Sequence, residues 1–172
     1  MNSEWIEGDL YFDFSNTIYA ENFDLSGKGH GLSDLLKAVD FIVEDKTEYY
    51  LIEVKNPENS KIPAKHLEEI RQKYLQRVKT GQINADLFIK LRDSLIFQSL
   101  NKGIPNKEMV YTIFIGLSSL DSAMLLAIKD DFIRYSRLLS GPKGKWEKGF
   151  NVLFLNFESW NAHLGKFKVK KI

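Results

Sequence analysis

Ala38-Val39-Asp40-Phe41-Ile42-Val43-Glu44 and, after Asp45-Lys46-Thr47-Glu48, Tyr49-Tyr50-Leu51-Ile52-Glu53-Val54-Lys55 decide how this chain folds. Both runs are rich in β-branched and aromatic residues, and a charged, turn-like segment separates them, so they predict a β-hairpin. Strand side chains alternate faces, which puts Glu53 and Lys55 on one side and Val54 on the other. If residues 45–48 form the loop, Glu44 pairs with Tyr49, and counting back sets Asp40 opposite Glu53. Directly opposed residues have Cβ atoms roughly 4.5–5.5 Å apart. Two carboxylates that close repel each other unless a cation lies between them or they share a proton. Lys55, one pleat along the same face, is placed to hold a water or a phosphate oxygen.

The 172 residues suit a single domain over the whole chain, 1–172, with a substantial core. A net charge of +1 makes the chain neutral overall, so nucleic-acid binding would have to come from local basic patches. With no cysteine, disulfides and thiolate metal sites are excluded. The opening MNSEWIEGDLYFDF is acidic and lacks a signal pattern, and no apolar run reaches the length of a membrane span. The expectation is a soluble cytoplasmic protein with no membrane partner.

Outward from the hairpin, Ser15 to Phe23 is expected to be a helix capped by Ser15 or Asp13, with Ile18, Tyr19 and Phe23 as its apolar stripe. Gly27, Gly29 and Gly31 mark a loop. Pro63 opens a helix to about Lys79, with Leu67, Ile70, Tyr74 and Val78 at helical spacing and Gly81 as its stop. A well-buried helix is expected from Asn84 to about Leu100. Met109 to Leu117 reads as a central strand covered on both faces. A helix from Ser119 or Asp121 to about Leu139 ends at Gly141-Pro142. A strand (Asn151 to Asn156), a short helix (Glu158 to Leu164) and a last strand (Phe167 to Lys170) complete the chain. The predicted class is α/β, with a central mixed sheet, an antiparallel hairpin carrying the acids, and flanking helices.

Val39-Asp40 and Glu53-Val54-Lys55, with this order of elements, resemble the PD-(D/E)xK nuclease superfamily, which has the restriction-endonuclease-like fold. The motif covers about 17 residues and the element order about two thirds of the chain. Val39 stands where the family pattern has proline. The Gln-x-x-x-Tyr signature of one branch is absent, since Gln72 is followed by Tyr74. The resemblance implies a Mg²⁺-dependent nuclease, with Mn²⁺ as a possible substitute, hydrolysing phosphodiester bonds with DNA as the expected substrate. It implies Asp40 and Glu53 as metal ligands completed by the Val54 carbonyl. Lys55 would assist the water, and an upstream acid would support the site: Glu21, with Asp24 as the rival. The chemistry agrees, because two carboxylates completed by waters and a phosphate are typical of Mg²⁺.

The plain alternative is a solvated hairpin face on which Lys55 bridges either acid, a pairing worth only about 0.2–1 kcal/mol. Against it stand Val39, Phe41, Val43, Leu51, Ile52 and Val54, which imply strands buried on both faces, where unpaired acids are costly. Lys61, Lys65, Arg71, Lys73 and Arg77 form a basic helix face that is either a track for a nucleic-acid backbone or a solvated surface. Lys143, Lys145 and Lys148 around Trp146 form a second basic loop. Lys166, Lys168, Lys170 and Lys171 read as the polar side of an edge strand. His30, His66 and His163 have no ligand spacing. A rival function is a catalytically inactive protein of this fold that binds nucleic acid or a protein partner. The small size leaves room for a homodimer or a partner subunit to supply sequence recognition.

Overall fold

The structure, a computed structural model, describes residues 2–24, 36–137 and 146–172. The hairpin forms as the loop count requires. Strands β4 (Phe41–Glu44) and β5 (Glu48–Lys55) pair antiparallel, with Glu44 opposite Tyr49 and Phe41 opposite Ile52. Extending that register by one rung puts Asp40 opposite Glu53. The Asp45 N–H donates to the Glu48 carbonyl at 2.9 Å and closes the turn.

Around the hairpin lies a five-stranded mixed sheet in the order β3-β4-β5-β6-β7. The edge strand β3 (Tyr19–Asn22) is antiparallel to β4, while β6 (Glu108–Ile115) and β7 (Phe150–Leu155) run parallel to β5. Helices α1 (Ala64–Lys79) and α2 (Gln82–Asn101) make the crossover from β5 to β6, and α3 (Ser122–Ser136) the crossover to β7. A short α4 (Phe157–His163) follows, and β8 (Val169–Lys171) joins β1 (Ile6–Glu7) and β2 (Leu10–Phe12) in a small second sheet of order β1-β2-β8. No described helix is long and apolar enough to cross a membrane.

The alternation of β5 divides the core in two. Leu51 and its neighbours Ile42, Tyr111, Ile113 and Phe154 pack with Leu87, Leu91, Leu125 and Phe132 of the crossover helices. Phe41, Val43, Tyr50, Ile52 and Phe114 face the other way, with Leu10, Phe12, Phe14, Trp160 and Phe167. Each fully buried side chain of this kind contributes about 1.5–3 kcal/mol. Glu53, in phase with Leu51, therefore lies on the helix-covered face.

The segment expected to be a helix from Ser15 to Phe23 is instead a turn over residues 15–18 followed by the edge strand Tyr19–Asn22. Ile18 and Tyr19, assigned to an apolar stripe, are 61% and 39% exposed. Residues 19–22 satisfy the free edge of β4, and that tertiary pairing overrides the local helical spacing. The remaining expected elements form with ends shifted by a few residues. Three loop features, namely the glycines at 27, 29 and 31, the Gly141-Pro142 stop and Lys143 with Lys145, lie outside the described residues, as does His30.

Candidate functional site

Asp40 sits where β4 detaches from the sheet, and α2 holds the approach to it. The Lys37 N–H donates to Asp93 Oδ2 at 3.1 Å and the Val39 N–H to Ser94 Oγ at 3.0 Å. On the β3 side, the Phe23 N–H donates to the Asp40 carbonyl at 2.7 Å. The next antiparallel rung would pair Val39 with Val54. Instead Ser94 takes the Val39 N–H, and the Val54 N–H goes to the Asp40 carboxylate, Oδ2, at 2.5 Å. The strand end is thus fixed by side chains on a rigid helix.

Glu53 is fully buried on the same face, and Asp40 is 6% exposed. Glu53 Oε1 accepts from Lys55 Nζ at 2.5 Å and from Lys90 Nζ at 2.9 Å. Lys90, descending from α2, also lies 3.8 Å from Asp40 Oδ1 and 3.7 Å from Asp24 Oδ2. Glu53 Oε2 is buried without a hydrogen-bond partner, as is the hydroxyl of Tyr74 on α1.

Burial, and next the charge of Glu53, push the Asp40 carboxyl up to about 7, against the pull of Lys90. Lys90 shows the opposite balance. Burial disfavours its charge, but Glu53, Asp40 and Asp24 more than offset this and raise its pKa. Glu7, on β1, is also raised, by burial first and then by the charge of Asp40, while Lys90 and Lys55 act to lower it. Glu7 therefore belongs to the same electrostatic cluster. It is brought there by a latched hairpin. Asp9 accepts from Asn56 Nδ2 at 2.6 Å and from the Ser60 N–H at 2.7 Å, tying the β1–β2 turn to the segment after Lys55. Gly8 in that turn has φ +65°, and a Cβ there would come within 2.3 Å of Asn59 Nδ2. Gly116 similarly gives way to Asn56, whose Oδ1 would lie 2.4 Å from an added Cβ.

Asp40, Glu53, Val54 and Lys55 are thus brought together. Glu21 is not with them. It lies on β3 opposite Ile42, and its carboxylate is 3.8 Å from Lys102 beyond the far end of α2. From Lys90 to Lys102 is about 18 Å of helix rise. Of the two upstream acids weighed from the sequence, Asp24 is the one beside the cluster, through Lys90. Lys90 and Glu7 were not singled out from the sequence. Lys90 had a signal: it falls between Leu87 and Leu91 on a wide apolar helix face, where a lysine needs a buried counter-charge. Glu7 had none, since a two-residue strand shows no periodicity.

The basic face of α1 is largely matched by local acids. Arg71 pairs with Glu58 at 2.8 Å and Glu68 at 3.6 Å, Lys73 pairs with Glu69 at 2.6 Å, and Arg77 pairs with Asp86. Lys61 donates to the Gly8 carbonyl at 3.0 Å, and Lys65 is exposed. Trp146 packs edge-on against Phe150, with centroids 4.9 Å apart.

Among the described residues, no group of three or more His, Cys, Asp or Glu side chains is arranged to hold a metal ion. The donor set for one would be Asp40 and Glu53 with main-chain oxygen and water. Two observations favour a cation there: the unpartnered buried Glu53 Oε2, and, among the described residues, the grouping of the four acids Asp40, Glu53, Asp24 and Glu7 with the two cations Lys55 and Lys90. No family model, curated protein or solved structure matches this chain.

Proposed function

We propose that the chain is a Mg²⁺-dependent nuclease with a restriction-endonuclease-like core, acting on phosphodiester bonds, with DNA as the expected substrate. The observation that carries this reading is the arrangement of Asp40 and Glu53. They lie on one face at the ends of adjacent antiparallel strands, with a buried carboxylate oxygen left unpartnered and Lys55 one pleat away. The order of the sheet supports the fold assignment. A three-stranded antiparallel unit carries the acids, and helices then lead to a strand parallel to β5. The chain departs from the family pattern in having β3, rather than a helix, at Tyr19–Asn22.

The residues divide the work as follows. Asp40 and Glu53 would hold the cation, with the Val54 carbonyl on the same strand edge as the N–H that Asp40 engages. When bound, Mg²⁺ supplies positive charge that polarises a phosphoryl oxygen and acidifies a water. Lys55, whose side chain is 28% exposed against 18% for Lys90, is the more accessible cation, suited to orient that water or to neutralise charge developing on phosphate. Lys65 and the other α1 cations would contribute backbone affinity rather than sequence choice, at the cost of breaking local pairs.

Incubation of the protein with plasmid, linear duplex, single-stranded DNA and RNA, with and without Mg²⁺ or Mn²⁺, tests the proposal. Metal-dependent cleavage of DNA that Glu53→Ala abolishes is the expected result. Absence of cleavage on every substrate would favour the rival reading of a non-catalytic binding protein.

A further inference from the structure

We propose that Lys90 is the resident counter-cation of this site: its ammonium occupies the cation position among Asp40, Glu53 and Asp24 and yields it when a divalent metal binds. The inference rests on the metal-site reading above and deepens it.

Lys90 is not needed to neutralise Glu53, because Lys55 already donates to Glu53 Oε1 at 2.5 Å. Its own contacts are those of a point charge placed among several acids: 2.9 Å to Glu53, 3.8 Å to Asp40 and 3.7 Å to Asp24. Its side chain is 18% exposed, and it issues from a helix whose Leu87 and Leu91 are fully buried. The ammonium is thus delivered to the cluster by a rigid element. Yet it leaves Glu53 Oε2 buried and unpartnered. A divalent ion gathers several oxygens at about 2.0–2.6 Å, whereas this ammonium is within hydrogen-bond distance of Glu53 and stands off from Asp40 and Asp24. Lysine suits such a temporary occupant. Its charge is compact and its four-carbon stem flexible, so the ammonium can withdraw without the planar fork constraint of arginine. The arrangement keeps buried carboxylates compensated before metal arrives, at the expense of metal affinity.

Mn²⁺ titration calorimetry on the wild type, Lys90→Met and the Asp40→Asn/Glu53→Gln double variant tests this. Lys90→Met is expected to bind Mn²⁺ at least about tenfold more tightly than the wild type, and the double variant not to bind. Equal or weaker binding by Lys90→Met, with the wild type still binding, overturns the counter-cation role and leaves the metal site standing. No binding by either protein overturns both. Should Lys90→Met fail to fold, the wild type suffices. Reductive methylation of Lys90, followed by mass spectrometry with exposed Lys65 as internal reference, should accelerate several-fold on adding Mg²⁺. An unchanged or slower rate overturns the inference.

Discussion

The Asp40 carboxylate accepts the Val54 N–H at 2.5 Å, closing with a side chain the rung that the β4–β5 ladder leaves open. One oxygen of Asp40 is thereby committed to structure. The other is directed toward Lys90 and the Glu53 side of the cluster. This division explains how an acid at a strand end is held still while its second oxygen faces Lys90.

Stability should fall with rising pH in metal-free buffer. The folded protein holds the Asp40 carboxyl up to about 7, against an ordinary value of 3.8. Between these values the folded state keeps a proton that the unfolded chain has released, so ν_U − ν_N is negative and stability declines across the window. Asn keeps an acceptor oxygen for Val54 without the charge. Asp40→Asn should therefore be more stable than the wild type above pH 7, by on the order of a few kcal/mol. Urea denaturation at pH 5 and pH 8 checks this. Equal pH slopes for the two proteins would contradict it.

Ser94→Ala removes the acceptor for the buried Val39 N–H. The expected loss is about 1–3 kcal/mol, the cost of an unsatisfied buried donor. Because that bond sets the segment leading into Asp40, metal affinity should drop as well. Thermal melts with and without Mn²⁺ would read both effects together.

Removing the latch should loosen the N-terminal hairpin. Asp9→Ala strips the Ser60 N–H and Asn56 of their shared acceptor and should destabilise by about 1–3 kcal/mol. Hydrogen exchange should then increase in residues 6–12 and 56–60 while the β5–β6 amides stay protected. Uniform loss of protection would argue against a separate latch.

Lys55→Ala should leave folding and metal binding largely intact, since Lys90 neutralises Glu53 before metal binds and the metal does so afterwards. Cleavage should fall by on the order of 10²–10³, the cost of one stabilising donor. Lys55→Arg should rescue it only in part. Equal rates for all three proteins would remove Lys55 from the mechanism.

The hairpin was legible in the sequence because the loop between Glu44 and Tyr49 fixes the register, and register alone aligns Asp40 with Glu53. The buried helices and β6 were legible from their long apolar patterns. The short strands were not. Tyr19–Asn22 is held by pairing with β4, and Ile6–Glu7 and Leu10–Phe12 by pairing with each other and with β8, information that no local window contains. For the same reason the site was only half visible. Asp40, Glu53 and Lys55 lie within one supersecondary unit, whereas Lys90 and Glu7 reach the cluster by tertiary packing. Glu21 was read onto a helix and lies instead on β3, where its carboxylate reaches Lys102.

The most direct test of the account is the initial rate of duplex DNA cleavage at saturating Mg²⁺ by the wild type and by Glu53→Gln. The account predicts cleavage by the wild type that EDTA abolishes and that Glu53→Gln, a near-isosteric variant with an amide in place of the charged carboxylate, reduces at least about 10²-fold. Equal rates for the two proteins, or no cleavage by either, would contradict it.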